Sequence, residues 1–356
     1  MTVGGDRSRF QASKQASRLP AGVVQGYTKT RSELTRKHVG QAVGDPVGLE
    51  PVVPSAMALP SALAPDLQDM LHGDEQRLVF FLDYDGTLAP IVDEPERAFI
   101  SDETRETLRQ LTMVRPVGLV SGRSNDKLRS FLKLDGIYLA GSHGVHVVGP
   151  SGIELDGPDP AELVGAPALA ALKAAHAALD AALGNVPGYL TEDNVYCITA
   201  HYRMVDPTEH ERVREVVHRV LGEHPCLKHK EGKMVHELRP AIDWDKGKAV
   251  EWLFELLERE AGVAGASRSA SSTSSATDMA DDDATAAASC SPAPRSRLLP
   301  IYIGDDVADE DAFRAVAKKD GIGIKVTDGA VMPEVTAATR SLTQPQVVQF
   351  LGSFLR

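Results

Sequence analysis

An aspartate pair follows a short apolar segment, in the run Asp83-Tyr84-Asp85-Gly86-Thr87. Side chains two residues apart on a strand point to the same side, so both carboxylates are able to face one crevice. One carboxylate is able to attack phosphorus and form a covalent intermediate, and a second is able to give an alkoxide leaving group its proton. We therefore predict that Asp83 is a nucleophile and that Asp85 is a general acid and base.

Three further polar clusters accompany this pair, at Ser121-Gly122-Arg123, Asp245-Lys246-Gly247 and Gly304-Asp305-Asp306. A carboxylate that attacks a phosphate dianion meets charge repulsion, which a hard cation with oxygen ligands relieves. We predict a Mg²⁺ site made by the carboxylates of Asp83 and Asp305 and by the main-chain carbonyl of Asp85. The predicted hydrogen-bond donors to the phosphoryl oxygens are Thr87, Ser121 and Lys246.

Each cluster taken alone also has a purely structural interpretation. Asp-x-Asp-Gly and Ser-Gly-Arg are common at turns, and acidic residues stabilise helix N-termini. A single lysine at a helix start is usually solvated. The occurrence of all four clusters in this order favours phosphoryl transfer.

The elements that would position these clusters follow an α/β pattern. Short apolar runs that end at three of the clusters are Arg77–Leu82, Val117–Val120 and Leu298–Ile303. Such runs are typical of buried parallel strands, whose carboxyl ends form the ligand-binding edge of the sheet. The predicted fold class is therefore α/β: a doubly wound parallel-sheet (Rossmann-like) core with an inserted α+β cap domain.

Changes in pattern along the chain predict the domain boundaries. Residues 1–66 are predicted to be a disordered basic leader and linker, and residues 67–145 and 241–356 to form the core. Residues 146–240 combine hairpin-like and helical segments and are predicted to form the cap. Residues 265–297 are rich in Ser, Ala, Thr and Asp, so we expect a disordered insertion in the core there.

Composition excludes several classes of function. The chain is 42% hydrophobic and 25% charged, and its net charge of −12 disfavours nucleic-acid binding. We expect no membrane span, because the apolar runs are shorter than the roughly 18 residues that a bilayer requires. The basic leader fits either a disordered tail of a cytoplasmic protein or an organellar transit peptide, in which case the compartment is the plastid.

The four clusters resemble motifs of the haloacid dehalogenase superfamily, and more narrowly those of plant-type trehalose-6-phosphate phosphatases. The superfamily resemblance rests on the four clusters, with the last continuing to Glu310-Asp311-Ala312-Phe313. The narrower resemblance rests on Ala140-Gly141-Ser142-His143-Gly144, Glu237-Leu238-Arg239-Pro240 and Trp244-Asp245-Lys246-Gly247-Lys248. It extends over about residues 78–356, apart from the insertion.

This resemblance implies hydrolysis of trehalose 6-phosphate, the last step of trehalose biosynthesis, with magnesium and a mobile cap that closes over the sugar. The expected substrate-binding residues are Arg123, His143, Arg203, Lys230, Lys233 and Glu237. We expect a monomer. One departure is Val307-Ala308, where the plant-type pattern usually has Arg-Thr.

Two alternative functions stay open at this point. One is a phosphatase for another sugar phosphate, such as sucrose phosphate or a phosphorylated glycerate glycoside. The other is an inactive sugar-phosphate sensor, which would have no need for the acid/base residue Asp85.

Overall fold

Two sheets organise the computed structural model, which describes residues 58–73, 77–271, 298–328 and 335–355. The strands of these ranges are β1 (Arg77–Leu82), β2 (Val117–Val120), β3 (Tyr138–Gly141), β4 (His146–Val148), β5 (Leu190–Asp193), β6 (Ile198–His201), β7 (Leu227–Gly232), β8 (Val235–Pro240), β9 (Leu298–Gly304), β10 (Ile322–Val326) and β11 (Arg340–Leu342). The helices are α1 (Pro65–Leu71), α2 (Asp102–Val114), α3 (Asn125–Leu132), α4 (Pro160–Val164), α5 (Ala166–Leu183), α6 (His210–Gly222), α7 (Lys246–Ser271), α8 (Glu310–Lys318) and α9 (Gln344–Gly352).

The larger sheet has seven strands in the order β11-β10-β9-β1-β2-β3-β4. Every neighbouring pair is parallel except β3 with β4. The chain winds outward from β1 in both directions, which confirms the predicted doubly wound core.

Strand β1 is buried on both faces, so its sequence is apolar without alternation. Leu78, Phe80 and Leu82 pack into a core that also contains side chains of α2, α3 and α9. Val79 and Phe81 face the opposite side and pack against side chains of α7 and α8. Helices on both faces thus exclude water from the strand that carries the aspartate pair.

A smaller antiparallel sheet of four strands, in the order β5-β6-β8-β7, forms the second layer system. Helices α4, α5 and α6 cover one face of it, where Leu179, Val217 and Leu238 share one apolar core. We call α4–α6 together with β5–β8 the cap. Burial alternates along β8, with His236 and Leu238 buried and Glu237 and Arg239 partly exposed, so its other face presents charged side chains.

Strand β4 departs from the predicted domain boundary. The sequence places the start of the cap at residue 146, but His146 pairs with Gly141, and Val148 with Leu139, at the edge of the larger sheet. The β3–β4 connection is a tight reversal in which Gly144 N–H donates to the Gly141 carbonyl at 3.0 Å. The apolar segment after this turn therefore completes the core before the chain enters the cap.

The leader and the insertion also differ at their ends from the prediction. Residues 58–66, assigned to the leader, pack on the core: Ala62 is fully buried, and its N–H donates to the Ser341 carbonyl. Helix α7 continues to Ser271, although the insertion was predicted from residue 265. The low apolar content of this segment predicts little burial, but it does not prevent a helix from continuing. Each residue added to an existing helix makes a hydrogen bond to the preceding turn, whether or not it is buried. The rest of both predictions, residues 1–57 and 272–297, lies outside the described residues.

None of the helices in the described ranges has the length and apolar character needed to cross a bilayer.

Candidate active site

The register of the larger sheet brings three of the polar clusters together. Leu82 at the end of β1 pairs with Leu119 on one side and with Ile303 on the other. The strands therefore end almost level, and Asp83, Ser121 and Asp305 emerge at one edge. Together with the start of α7, this edge forms the floor of a cleft beneath the charged face of the cap.

Lys246 joins two buried carboxylates at the bottom of the cleft. Its Nζ lies 2.9 Å from Asp83 Oδ1 and 2.7 Å from Asp309 Oδ1. Asp309 is fully buried and also accepts hydrogen bonds from the Tyr302 hydroxyl at 2.7 Å and from Asp306 N–H at 2.8 Å. One ammonium group thus orients the nucleophile candidate and anchors the segment that follows β9.

Negative charge exceeds positive charge in this cluster. Burial raises the pKa of Asp83 well above its usual value, with Lys246 opposing the rise and Asp309 and Asp305 adding to it. Burial also raises the pKa of Asp305 to about 6, although Lys233 opposes it. Burial alone would raise the pKa of Asp309, but the charge and hydrogen bonds of Lys246 and Tyr302 bring it below its usual value. An added cation beside Asp83 and Asp305 would therefore be stabilising.

The donor atoms fit a hard divalent cation. Carboxylate oxygens of Asp83, Asp305 and Asp309 lie within 4.8 Å of one another. Oδ1 of Asp305 is buried without a hydrogen-bond partner, while its Oδ2 accepts from Lys233 of the cap. Gly86, with φ of 77°, allows the Asp305 carboxylate to lie against the main chain that follows Asp85, because a Cβ on Gly86 would lie 2.1 Å from Asp305 Oδ2. An oxygen-only site of this kind suits Mg²⁺.

Asp85 also faces the cleft, but its carboxylate is held by a guanidinium. Arg123 donates from Nε to Asp85 Oδ2 at 2.7 Å and from Nη2 to Oδ1 at 2.8 Å. Nη2 also donates to the Pro95 carbonyl at 3.0 Å. The structure thus directs Arg123, predicted to bind substrate, toward Asp85, and it leaves Nη1 as the guanidinium nitrogen without a hydrogen bond.

The two predicted hydroxyl donors occupy different positions. Ser121 lines the cleft, and its Oγ accepts from Arg123 N–H at 3.2 Å. Thr87 is fully buried and does not line the cleft, and its Oγ1 lacks a hydrogen-bond partner. An unpaired buried hydroxyl costs free energy, and Thr87 is thus a predicted donor whose hydroxyl has no acceptor in this structure.

The cap contributes Glu237, which bridges to the core. Its Oε1 lies 3.0 Å from His143 Nε2, and its Oε2 accepts from Arg239. Burial raises the pKa of Glu237, but His143 and Arg239 outweigh this and hold it well below its usual value. Burial lowers the pKa of His143 to about 4, which favours the neutral imidazole. Gly122 is required here, since a Cβ on it would lie 2.8 Å from the His143 ring.

The other cap residues predicted to bind substrate divide into two groups. Arg203 and Lys233 line the cleft, and an Arg203 nitrogen donates to the Lys233 carbonyl at 2.9 Å. Lys233 also reaches Asp305, as described above. Lys230 pairs with Glu237 across the β7–β8 ladder but does not line the cleft.

Two functional candidates were missed by sequence reasoning. Asp309 belongs to the acidic run after β9, but its sequence gives no sign that it would be buried against Lys246. Glu192 on β5 is 7% exposed and lies 2.6 Å from Lys127 Nζ and 3.1 Å from His201 Nε2. In the sequence, Glu192 is recognisable only as an acidic residue in a short polar strand. Such residues are more often solvated.

Known proteins resemble this chain over most of its length. Residues 81–346 match the family described as Trehalose-phosphatase. Trehalose 6-phosphate phosphatase RA3 of Zea mays is 37% identical over 82% of this chain and 73% of its own length. Probable trehalose-phosphate phosphatase 9 of Oryza sativa subsp. japonica is 36% identical over 98% of this chain and 89% of its own.

Solved structures share the fold. The C-terminal domain of C. albicans trehalose-6-phosphate phosphatase aligns with a TM-score of 0.61 at 22% identity, covering 83% of this chain and 97% of that domain. A trehalose-6-phosphate phosphatase related protein aligns with a TM-score of 0.56 at 21% identity, covering 78% and 96%.

Replacing Lys246 with methionine is expected to destabilise the protein in a pH-dependent way. The variant leaves Asp83 and Asp309 buried without their countercharge, which costs about 3–5 kcal/mol of unfolding free energy. Without Lys246, the pKa of Asp83 rises further above its value in the unfolded chain, and the pKa of Asp309 loses the contact that holds it below its usual value. Ionising the two carboxylates then costs more in the folded state, so the deficit in unfolding free energy relative to wild type is larger at pH 8 than at pH 5.5. Urea unfolding in chelator measures it.

Lys248→Met provides the matched control. Lys248 pairs with the exposed Asp243 at 2.6 Å, and an exposed pair contributes at most about 1 kcal/mol. Equal losses in the two variants, or a Lys246→Met deficit that does not change with pH, would contradict the buried ion cluster.

Proposed function

Because this chain belongs to the trehalose-phosphatase family, we propose that it hydrolyses trehalose 6-phosphate to trehalose and inorganic phosphate, the last step of trehalose biosynthesis. The observation that carries the proposal is the position of Asp83 and Asp85 at the end of β1, in a cleft roofed by the charged face of the cap. Phosphoryl transfer needs such a pair, and a disaccharide offers hydroxyls to such a roof.

Asp83 is the proposed nucleophile. Lys246, 2.9 Å from Oδ1, fixes the direction of the carboxylate. Attack by a carboxylate oxygen forms an O–P bond as the bond from phosphorus to the sugar oxygen breaks, giving an aspartyl phosphate and an alkoxide.

Asp85 is the proposed acid and base. It delivers a proton to the departing sugar oxygen and then accepts one from the water that hydrolyses the aspartyl phosphate. Ser121 and Lys246, which line the cleft, and Thr87 are the proposed hydrogen-bond donors to the phosphoryl oxygens.

The carboxylates of Asp83 and Asp305 are the proposed ligands of a divalent metal, with the Asp85 main-chain carbonyl as a further oxygen. The family's chemistry uses a divalent cation in general, and we propose Mg²⁺ for this chain. When bound, the ion neutralises part of the charge on the phosphoryl group and the nucleophile. Lys246 and Asp309 hold Asp83 and the loop after β9 in place at this proposed metal site.

The cap is proposed to bind the second glucose. Arg203, Lys233 and Glu237 line the roof of the cleft, and His143, which contacts Glu237, also lines it. Lys230 is the weakest member of the predicted set, because it lies outside the lining. All these residues come from one chain, so we propose that the monomer is sufficient for activity.

Phosphate release from a panel of sugar phosphates tests the substrate. Trehalose 6-phosphate should be hydrolysed with the highest kcat/KM, because the distal glucose supplies binding energy that positions the phosphate. Comparable values for sucrose 6-phosphate or glucose 6-phosphate would contradict the assignment.

Replacing Asp85 with asparagine separates the two chemical steps. With trehalose 6-phosphate, loss of the acid should lower turnover about 100- to 10,000-fold. With 4-nitrophenyl phosphate, whose leaving group needs no proton, the variant should release one equivalent of nitrophenol in a rapid burst before slow turnover. Stopped-flow absorbance measures the burst, and equal slowing of bond cleavage with both substrates would exclude Asp85 as the acid.

Replacing Asp305 with asparagine is expected to weaken metal binding. Chelator should abolish wild-type activity, and the variant should need at least about tenfold more Mg²⁺ for half-maximal rate. Mg²⁺ should raise the Tm of the wild type but not that of the variant. This measurement detects metal binding independently of catalytic activity. Asp311→Asn, at an exposed pair with Arg314, is the control, and an unchanged Mg²⁺ requirement in Asp305→Asn would refute the ligand assignment.

A further inference from the structure

Glu192 places a cap carboxylate among cations of the core. Its Oε1 accepts from Lys127 Nζ at 2.6 Å and lies 3.8 Å from Arg123 Nη1. Its Oε2 contacts His201 of the neighbouring cap strand at 3.1 Å. Burial alone would raise the pKa of Glu192, but the bonds from His201 and Lys127 bring it to about 2. The group is therefore a fixed negative charge at the junction of cap and core.

Arg123 is the core residue between Glu192 and the acid/base candidate. Its side chain is 6% exposed, and its guanidinium carbon lies 5.0 Å from the Phe131 ring centre and 5.6 Å from that of Tyr84. These ring contacts hold the guanidinium in a position between Asp85 and Glu192. Nε and Nη2 point to Asp85, while the buried Nη1, without a hydrogen-bond partner, points toward Glu192.

The present arrangement saturates Asp85 on one side. Both of its oxygens accept from Arg123, whereas proton exchange with the leaving group needs one oxygen to face the sugar oxygen. A gap of 3.8 Å between Nη1 and Glu192 is too long for a hydrogen bond, and closing it by roughly 1 Å would form a charge-assisted one. That movement would draw the guanidinium toward the cap and release one Asp85 oxygen.

We propose that Glu192 is a positioning residue for Asp85: by attracting Arg123, the cap carboxylate sets how firmly the guanidinium holds the acid and so couples the position of the cap to catalysis. This inference rests on the proposed function in one respect, the role of Asp85 as the acid. It assigns Glu192 no contact with the reacting atoms.

Three substrates separate this role from the alternatives in Glu192→Gln, which keeps the shape of the side chain and removes its charge. Trehalose 6-phosphate and glycerol 3-phosphate both need a protonated leaving group, but glycerol 3-phosphate has no second sugar. 4-Nitrophenyl phosphate needs no proton. The measured quantity is the single-turnover rate constant for release of the leaving group.

We expect Glu192→Gln to slow the first two substrates by about 10- to 100-fold and to leave the nitrophenyl substrate within about twofold of wild type. Glu96→Gln is the matched control, because Glu96 also contacts Lys127, at 3.6 Å, but is 63% exposed and forms no pair with Arg123. It should leave all three rates unchanged. In an Arg123→Met background, Glu192→Gln should add no further slowing, since the effect passes through Arg123.

Lys127→Met tests the opposite direction and guards against a folding defect in the first variant. Removing Lys127 leaves Glu192 Oε1 to Arg123 alone, so release of the alkyl leaving groups should equal or exceed the wild-type rate. Slowing of trehalose 6-phosphate only in Glu192→Gln would instead assign Glu192 to sugar binding, and equal slowing of all three substrates would assign it to structure. Slowing in Lys127→Met would also overturn the proposal.

A failure of the substrate assignment can be distinguished from a failure of the Glu192 proposal. If wild type cleaves glycerol 3-phosphate and 4-nitrophenyl phosphate but not trehalose 6-phosphate, the substrate assignment is wrong, and the comparison of the other two still decides the role of Glu192.

Discussion

The ion cluster of Lys246 with Asp83 and Asp309 is the interaction on which the rest of the site depends. It ties together the end of β1, the start of α7 and the loop after β9, which are far apart in sequence. Tyr302 and the Asp306 N–H complete the environment of Asp309, so this carboxylate acts as a scaffold and Asp83 stays free to react on its other side. With two buried carboxylates on one ammonium and a third beside them, the site is organised for a cation and for a phosphoryl group bound together.

Charged contacts connect the cap to the core in this cleft. Glu237 meets His143, Lys233 meets Asp305, and Glu192 meets Lys127. Such contacts are directional and are replaced by water when they part, whereas an apolar seam would resist opening. A cap that must admit a disaccharide phosphate and release its products benefits from an interface of this kind. Two of these contacts, those of His143 and Asp305, involve core residues that line the cleft, so the cap bears directly on the geometry of the site.

The sequence was sufficient to predict the doubly wound core, the strand ends at Asp83, Ser121 and Asp305, and the separate cap. These features depend on local signals: unbroken apolar runs, the residues that stop them, and a change of pattern where the cap begins. The pairing of Lys246 with Asp309, the grip of Arg123 on Asp85 and the burial of Glu192 depend on tertiary contacts between distant segments. In the sequence, the charged residues that make these buried contacts cannot be distinguished from solvated charged residues. The edge strand β4 was misplaced because an apolar segment after a turn fits either sheet.

The claim most open to direct contradiction is that Asp83 carries the phosphoryl group during turnover. In this experiment, wild-type protein is mixed with trehalose 6-phosphate and Mg²⁺ and quenched in acid within the first turnover. Borohydride is then added, and it reduces an aspartyl phosphate to homoserine. Peptide mass spectrometry should then find homoserine at position 83 alone, and an Asp83→Asn sample treated in the same way should show none. Homoserine at another aspartate, a stable phosphate on Ser121, or full turnover with no covalent phosphate would contradict the mechanism.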